Sequence, residues 1–215
     1  MKRREFAQLA GAGLATTAGS TVWAQGAKPV AGTDYQVIDP RAPVEAPAGK
    51  IEVVEFFWFN CPHCNAFEPT LQAWIPKLPK DVHFRRVPVA FRDDFVPQQR
   101  FFYALETMGL VEKMQAKVFA AIHVERQDLT KPDAIINWVA KQGIDKNAFT
   151  AAYNSFATAT KAGKATQLQN AYKIEGVPSL GVAGRFLTDA GMAGGMGRAL
   201  QIVQQLVDQV RAKPV

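Results

Sequence analysis

The stretch Ile51-Glu52-Val53-Val54-Glu55-Phe56-Phe57-Trp58-Phe59-Asn60-Cys61-Pro62-His63-Cys64 decides how this chain folds. From about residue 50 to Phe59 it is nearly continuous in apolar and aromatic side chains, the pattern of a strand covered on both faces. It then runs straight into Cys61-Pro62-His63-Cys64. Pro62 suits the first turn of a helix, where a missing N–H costs nothing. Phe67, Leu71 and Trp74 follow at helical spacing, and the helix is expected to stop before Pro76 or Pro79. Val82 to Phe91 reads as the next strand, so strand, helix and parallel strand make one βαβ unit.

Working outward, Gly26 to Gly49 is rich in Pro, Ala and Gly, with a short edge strand expected at Tyr35 to Ile38. After the βαβ unit, about 75 residues read as helices. Phe101, Phe102 and Leu105 form one apolar face, ended by Gly109, and Val111, Met114, Val118 and Ile122 form a second. Thr130 with Asp133 resembles the cap of a third helix carrying Ile135, Ile136 and Val139. Asp145 caps a fourth, and a fifth spans about Ala157 to Tyr172. Strands return at Ser179 to Val182 and Arg185 to Thr188 around an Ala183-Gly184 turn. A final helix from about Gly197 to Ala212 turns Leu200, Val203, Val207 and Val210 inward. The layout is α/β: βαβ, a helical insertion, then ββα.

Residues 1–24 read as a cleaved export signal. Met1 to Arg4 is a basic head, Leu9 to Trp23 a mildly apolar stretch, and Val22-Trp23-Ala24 the small residues that precede cleavage before Gln25. Interrupted by Gly11, Gly13 and Gly19, the stretch falls short of the ~20 apolar residues of a membrane span. Arg3-Arg4-Glu5-Phe6 resembles the twin-arginine export motif, and an ordinary secretory signal remains the alternative. Either route leads outside the cytoplasm, where disulfides persist. Without those 24 residues the net charge falls from +6 to +4, because Lys2, Arg3 and Arg4 leave with Glu5. The remaining bases are scattered, with no basic stripe interleaved with aromatics, so nucleic-acid binding is not supported. No other apolar run is long enough to cross a membrane.

Cys61 and Cys64 are the chain's only cysteines, so the pair must be explained on its own terms. Haem attachment needs a histidine after the second cysteine, and that position is Asn65. A structural zinc site needs four ligands, and only His63, His83 and His123 are available to join. A four-residue disulfide ring restrains little chain. Redox chemistry remains, in the arrangement of thioredoxin-like centres. Cys61 at the start of a helix gains thiolate stability from free N–H groups and the helix dipole, with His63 adding to it. Cys64, one turn inside, is expected to be shielded. Glu55 is an acid inside an apolar strand, costly to bury without a task or a partner. It either exchanges a proton with Cys64 through water or pairs with a lysine or arginine. Val177-Pro178 is expected beside the thiols, either as a cis peptide that frees backbone groups for a substrate strand or as a trans proline opening a strand. Trp58, Phe67 and Trp74 are candidates for a groove lining, with core packing the commoner fate.

Phe56-Phe57-x-Phe59-x-Cys61-Pro62-His63-Cys64, the helical insertion and Gly176-Val177-Pro178 together resemble the DsbA family of periplasmic thiol:disulfide oxidoreductases. The resemblance covers essentially the whole mature chain. It implies a thioredoxin fold interrupted by an all-helical insertion domain, with residues 25–97 and 166–215 as the thioredoxin-like domain and 98–165 as the insertion. It also implies a monomer that uses no cofactor or metal beyond its own disulfide. That disulfide is donated to unfolded exported proteins with free thiols and restored by a DsbB-like quinone-linked membrane oxidase. Carried over by position, Cys61 is the nucleophile, Cys64 the resolving thiol, His63 the tuner of Cys61 and Pro62 its partner between the cysteines. Glu55 resembles the family's buried acid, and Val177 and Pro178 the substrate-facing loop. An isomerase or reductase, a soft-metal chaperone and a thiol-independent folding chaperone are the competing classes. The roughly 25 residues between the signal and the first long strand leave no room for the extra N-terminal domain of dimeric isomerases.

Overall fold

The computed structural model describes residues 28–213; the expected export signal at 1–24 lies outside them. A mixed sheet of five strands in the order β1-β5-β4-β2-β3 organises the described chain. Its strands are β1 (Gln36–Val37), β2 (Ile51–Phe57), β3 (Val82–Pro88), β4 (Ser179–Val182) and β5 (Phe186–Asp189). β2 is buried along nearly its whole length, as its unbroken apolar run requires. It pairs parallel with β3 and antiparallel with β4. The crossover to β3 is α1 (Pro62–Trp74), followed by a 3₁₀ turn at Ile75–Lys77.

Between β3 and β4 lie α2 (Val96–Thr107), α3 (Val111–His123), α4 (Pro132–Lys141), α5 (Lys146–Asn154) and α6 (Phe156–Ala171). α7 (Ala190–Ala193) and α8 (Met196–Ala212) close the chain. Over Val53 to Phe56 the alternation of β2 side chains sorts two apolar cores, while Phe57 at the strand's end joins the core of Val54 and Phe56. Val53 packs with Phe67 and Leu71 of α1 and with Ile202, Val203, Leu206 and Val207 of α8. Val54 and Phe56 join Tyr172 and the residues of α2 to α6 on the other side.

Caps and turns follow local chemistry. Asp145 accepts a hydrogen bond from the Ala148 N–H (2.7 Å) and Ser155 from that of Thr158 (3.1 Å), each capping its helix. Ala183 and Gly184, with φ of 53° and 69°, lie in the three-residue turn, 183–185, that joins β4 to β5. The expected cap at Thr130 is not formed. Pro132 occupies the first helical position of α4 and holds Lys131 extended (φ −110°, ψ 144°), so Lys131 stands at the cap position and makes no side-chain bond there. Thr130 bonds to Asp128 instead. α7 was not foreseen: four residues are too few to show a period, and its signal is the Asp189 side chain accepting from the Met192 N–H. Among the described residues no helix is long and apolar enough to cross a membrane.

Gly181 of β4 lies under the fully buried ring of Tyr172, where an added Cβ would come within 2.5 Å of Cε1. Gly181→Ala should therefore destabilise the fold by about 1–3 kcal/mol through overpacking. The check is a lower urea midpoint with an unchanged denaturant slope.

Candidate active site

β2 ends at Phe57, and the chain turns through Trp58 to Cys61, closed by the Cys61 N–H donating to the Trp58 carbonyl (3.0 Å). Cys61 then stands at the N-cap of α1 in extended conformation (φ −78°, ψ 118°), with Pro62 first in the helix. Its Sγ accepts the Cys64 N–H at 3.4 Å, the contact a serine or aspartate cap would make. Both sulfurs are free thiols. Cys61 is 7% exposed and Cys64 fully buried, while Pro62 and His63 between them are exposed.

The two thiols differ sharply in acidity. The hydrogen bond from the Cys64 thiol, aided by the N–H groups of Cys64 and His63 and by the His63 charge, pulls the Cys61 pKa down to about 6 against the cost of burial. Burial pushes Cys64 far up, and the Cys61 hydrogen bond and charge and the Glu55 charge add to that. Opposite the sulfurs, the Val177–Pro178 peptide is cis, and the Cys61 thiol donates to the Val177 carbonyl (3.3 Å). A groove of about 550 Å³ opens beside them, lined among others by His63, Phe67, Val177, Pro178 and Met196. A larger groove of about 1100 Å³ along β3 and α2 contains neither sulfur nor the Val177–Pro178 loop.

Glu55, with no exposed surface, points to the α1 side of the sheet and accepts from Arg86 Nη1 (2.9 Å). The same guanidinium donates to both carboxyl oxygens of Glu68 on α1, at 2.6 and 3.0 Å. Burial pushes Glu55 up to about 8, Arg86 pulls it down and Glu68 pushes it up. One cation facing two carboxyl groups leaves the deeper one protonated to higher pH. The arginine partner weighed for Glu55 is thus present, and its charge also reaches Cys64. Of the three aromatics considered for the groove, Phe67 lines it. Trp58 instead stacks on Phe95 (3.9 Å between centroids), and Trp74 meets Phe84 edge-on. Among the described residues no cluster of three or more His, Cys, Asp or Glu is placed to hold a metal ion.

The family model of the DSBA-like thioredoxin domain matches residues 80–201. The thiol:disulfide interchange protein DsbA of Burkholderia cepacia is 43% identical over 187 residues, 87% of this chain and 88% of that protein. The DsbA of Pseudomonas aeruginosa PAO1 is 42% identical over 182 residues, 85% and 86% of the two chains. The crystal structure of Pseudomonas aeruginosa DsbA superposes with a TM-score of 0.81, covering 85% of this chain and 95% of that one. That of oxidoreductase DsbA from Xylella fastidiosa does so at 0.79 with 32% identity, covering 86% and 98%. The chain belongs to the DsbA family. It is a disulfide oxidoreductase with a thioredoxin fold interrupted by helices between β3 and β4.

Reasoning from sequence missed Arg86 as the partner of Glu55 and Glu68 as the second carboxyl group on that guanidinium, and it missed His123 and Gln98, which bond to the turn before Cys61. A buried strand acid faced by an arginine in the next strand was the available signal for the first pair. For the second there was none, since these residues are 64 and 38 positions from their partners.

Two outcomes follow from the electrostatics. Because the Cys64 thiol is the largest influence on Cys61, Cys64→Ala should raise the Cys61 thiolate midpoint more than His63→Ala does, as read by ultraviolet absorbance of the thiolate against pH. Glu55 keeps its proton in the folded protein up to about pH 8 but loses it near 4.5 when unfolded, so its contribution to stability falls as pH rises between those values. Glu55→Gln should gain stability relative to the unsubstituted protein across that window; urea midpoints at several pH values test it.

Proposed function

We propose that this protein, in the periplasm, donates a Cys61–Cys64 disulfide to newly exported, unfolded proteins with free thiols. The observation that carries the reading is the contrast between the two sulfurs: one acidic at a helix N-terminus beside a groove, the other buried and held protonated. A substrate thiolate attacks Cys61 Sγ, the Cys61–Cys64 bond breaks, and Cys64 leaves with the electron pair and takes a proton. A second substrate thiolate then attacks the substrate sulfur of the mixed disulfide and expels Cys61 as a thiolate. The substrate loses two electrons and the enzyme gains them. An acidic Cys61 is a good leaving group, and a stabilised thiolate favours the reduced enzyme, which makes the pair oxidising.

In this reading Pro62 and His63 present Cys61, and His63 adds to its acidity. Glu55 supplies or takes the proton of Cys64, and Val177 and Pro178 hold the substrate backbone in the groove. The thioredoxin-like part is residues 25–97 and 166–215 and the insertion 98–165, following a signal at 1–24 of twin-arginine or ordinary secretory type. The protein works as a monomer without further cofactor, and a DsbB-like quinone-linked membrane oxidase restores the disulfide.

Equilibration with glutathione should give a potential near the oxidising end of the thioredoxin-like range, about −120 mV; a value near −270 mV would reverse the direction of electron flow. In parallel, Cys64→Ala should accumulate mixed disulfides with exported proteins through Cys61, visible on non-reducing gels. Their absence would count against donation.

A further inference from the structure

The turn Trp58-Phe59-Asn60-Cys61 carries the chain from β2 to the first cysteine, and its two central residues are each held by one side chain from the inserted helices. His123, the last residue of α3, donates from Nε2 to the Phe59 carbonyl at 2.8 Å. Gln98 of α2 donates from Nε2 to Asn60 Oδ1 at 2.6 Å and to the Leu129 carbonyl at 3.0 Å. Gln98 is 1% exposed and Asn60 half-buried, so the donor end of their bond is shielded from competing water. The Phe59 ring is buried against Phe57, Phe101 and Phe119, with centroids 5.1 to 5.6 Å apart.

We propose that His123 and Gln98 are positioning residues for disulfide exchange, clamping the Phe59–Asn60 turn so that Cys61 Sγ stays on the N-terminus of α1 and against the Val177 carbonyl. Both Cys61 contacts are long, 3.4 Å to the Cys64 N–H and 3.3 Å to Val177, and depend on the extended backbone of Cys61. A turn free to rotate about Phe59 and Asn60 changes that backbone first. The helical insertion then does more than wall the site: it sets the chemistry of a sulfur that belongs to another part of the fold. This rests on Cys61 being the attacked sulfur.

The experiment is a thiolate titration of the reduced protein, with urea unfolding alongside. His123→Phe keeps a ring beside Phe119 but removes the donor, and Asn60→Ala removes the acceptor of the Gln98 bond. Each should raise the Cys61 midpoint by about half a pH unit or more, because the thiolate loses its N–H donor, an effect larger than the loss of the Val177 carbonyl, which only the protonated thiol can use. Adding Gln98→Ala to Asn60→Ala should move it no further, since the bond between the two side chains is already gone and the other Gln98 bond, to Leu129, does not touch the turn. A purely structural role would lower the urea midpoint and leave the titration in place. Unmoved midpoints in folded His123→Phe and Asn60→Ala overturn the clamp. A midpoint near the ordinary thiol value of 9.0 in the unsubstituted protein overturns it for a different reason, because Cys61 is then not the activated sulfur.

Discussion

Arg86 is the constraint on which the active-site end of the fold depends. It stands opposite Glu55 in the parallel pairing of β2 and β3, and it reaches past that carboxyl group to grip Glu68 on α1. Leaving the buried Arg86 cation without its carboxyl partners would typically cost about 3–5 kcal/mol, so these contacts are strongly selected once the residues are inside. A slip of one residue between the strands would turn Arg86 to the opposite face and leave both acids unpaired. The register of the sheet and the seating of the helix that carries both cysteines are therefore keyed by one guanidinium.

That key also sets the proton inventory around the sulfurs. Arg86 offers one positive charge to two carboxyl groups, and the fully buried Glu55 holds its proton up to about pH 8. Ionising it would add negative charge near Cys64, which burial already keeps protonated. At the mouth of the same helix the balance is reversed. Cys61 faces N–H groups and the Cys64 thiol, so its thiolate is solvated by the protein itself. Three positions of chain separate a sulfur that ionises easily from one that does not, and the difference comes from which end of the helical turn each occupies.

What could be read from the sequence, and what could not, divides along the same line. β2 was legible because its apolar run is unbroken, and the start of α1 because Pro62 can serve only at a helix's first turn or outside it. The inward face of α8 was legible because Leu200, Val203, Val207 and Val210 recur with the helical period, and all four are buried. Pairings that depend on register or helix rotation were not. Glu55 announced itself as a buried acid, yet its partner depended on which residue of β3 lies opposite and on how α1 is rotated. The cap at Thr130 failed for a more local reason, the grip of Pro132 on the residue before it. His123 carried no mark at all: a histidine at the end of an amphipathic helix gives no sign of the carbonyl it will meet.

The distribution of the core explains why a helical insertion sits beside this particular centre. Cys61, Cys64 and Phe59 belong to the apolar cluster built by α2 to α6, whereas Phe67 and Leu71, farther along α1, belong to the cluster built with α8. α1 thus crosses from one core to the other, with its N-terminus and both sulfurs on the side of the inserted helices. The groove opens on the opposite flank, between α1, the Val177–Pro178 loop and the start of α8. The groove and the control of the sulfur are then separated: one flank is open, and the other is closed by apolar packing that excludes water. A sulfur whose acidity rests on weak, long hydrogen bonds needs such a closed flank, because water reaching it would replace those bonds and erase the difference between the two thiols.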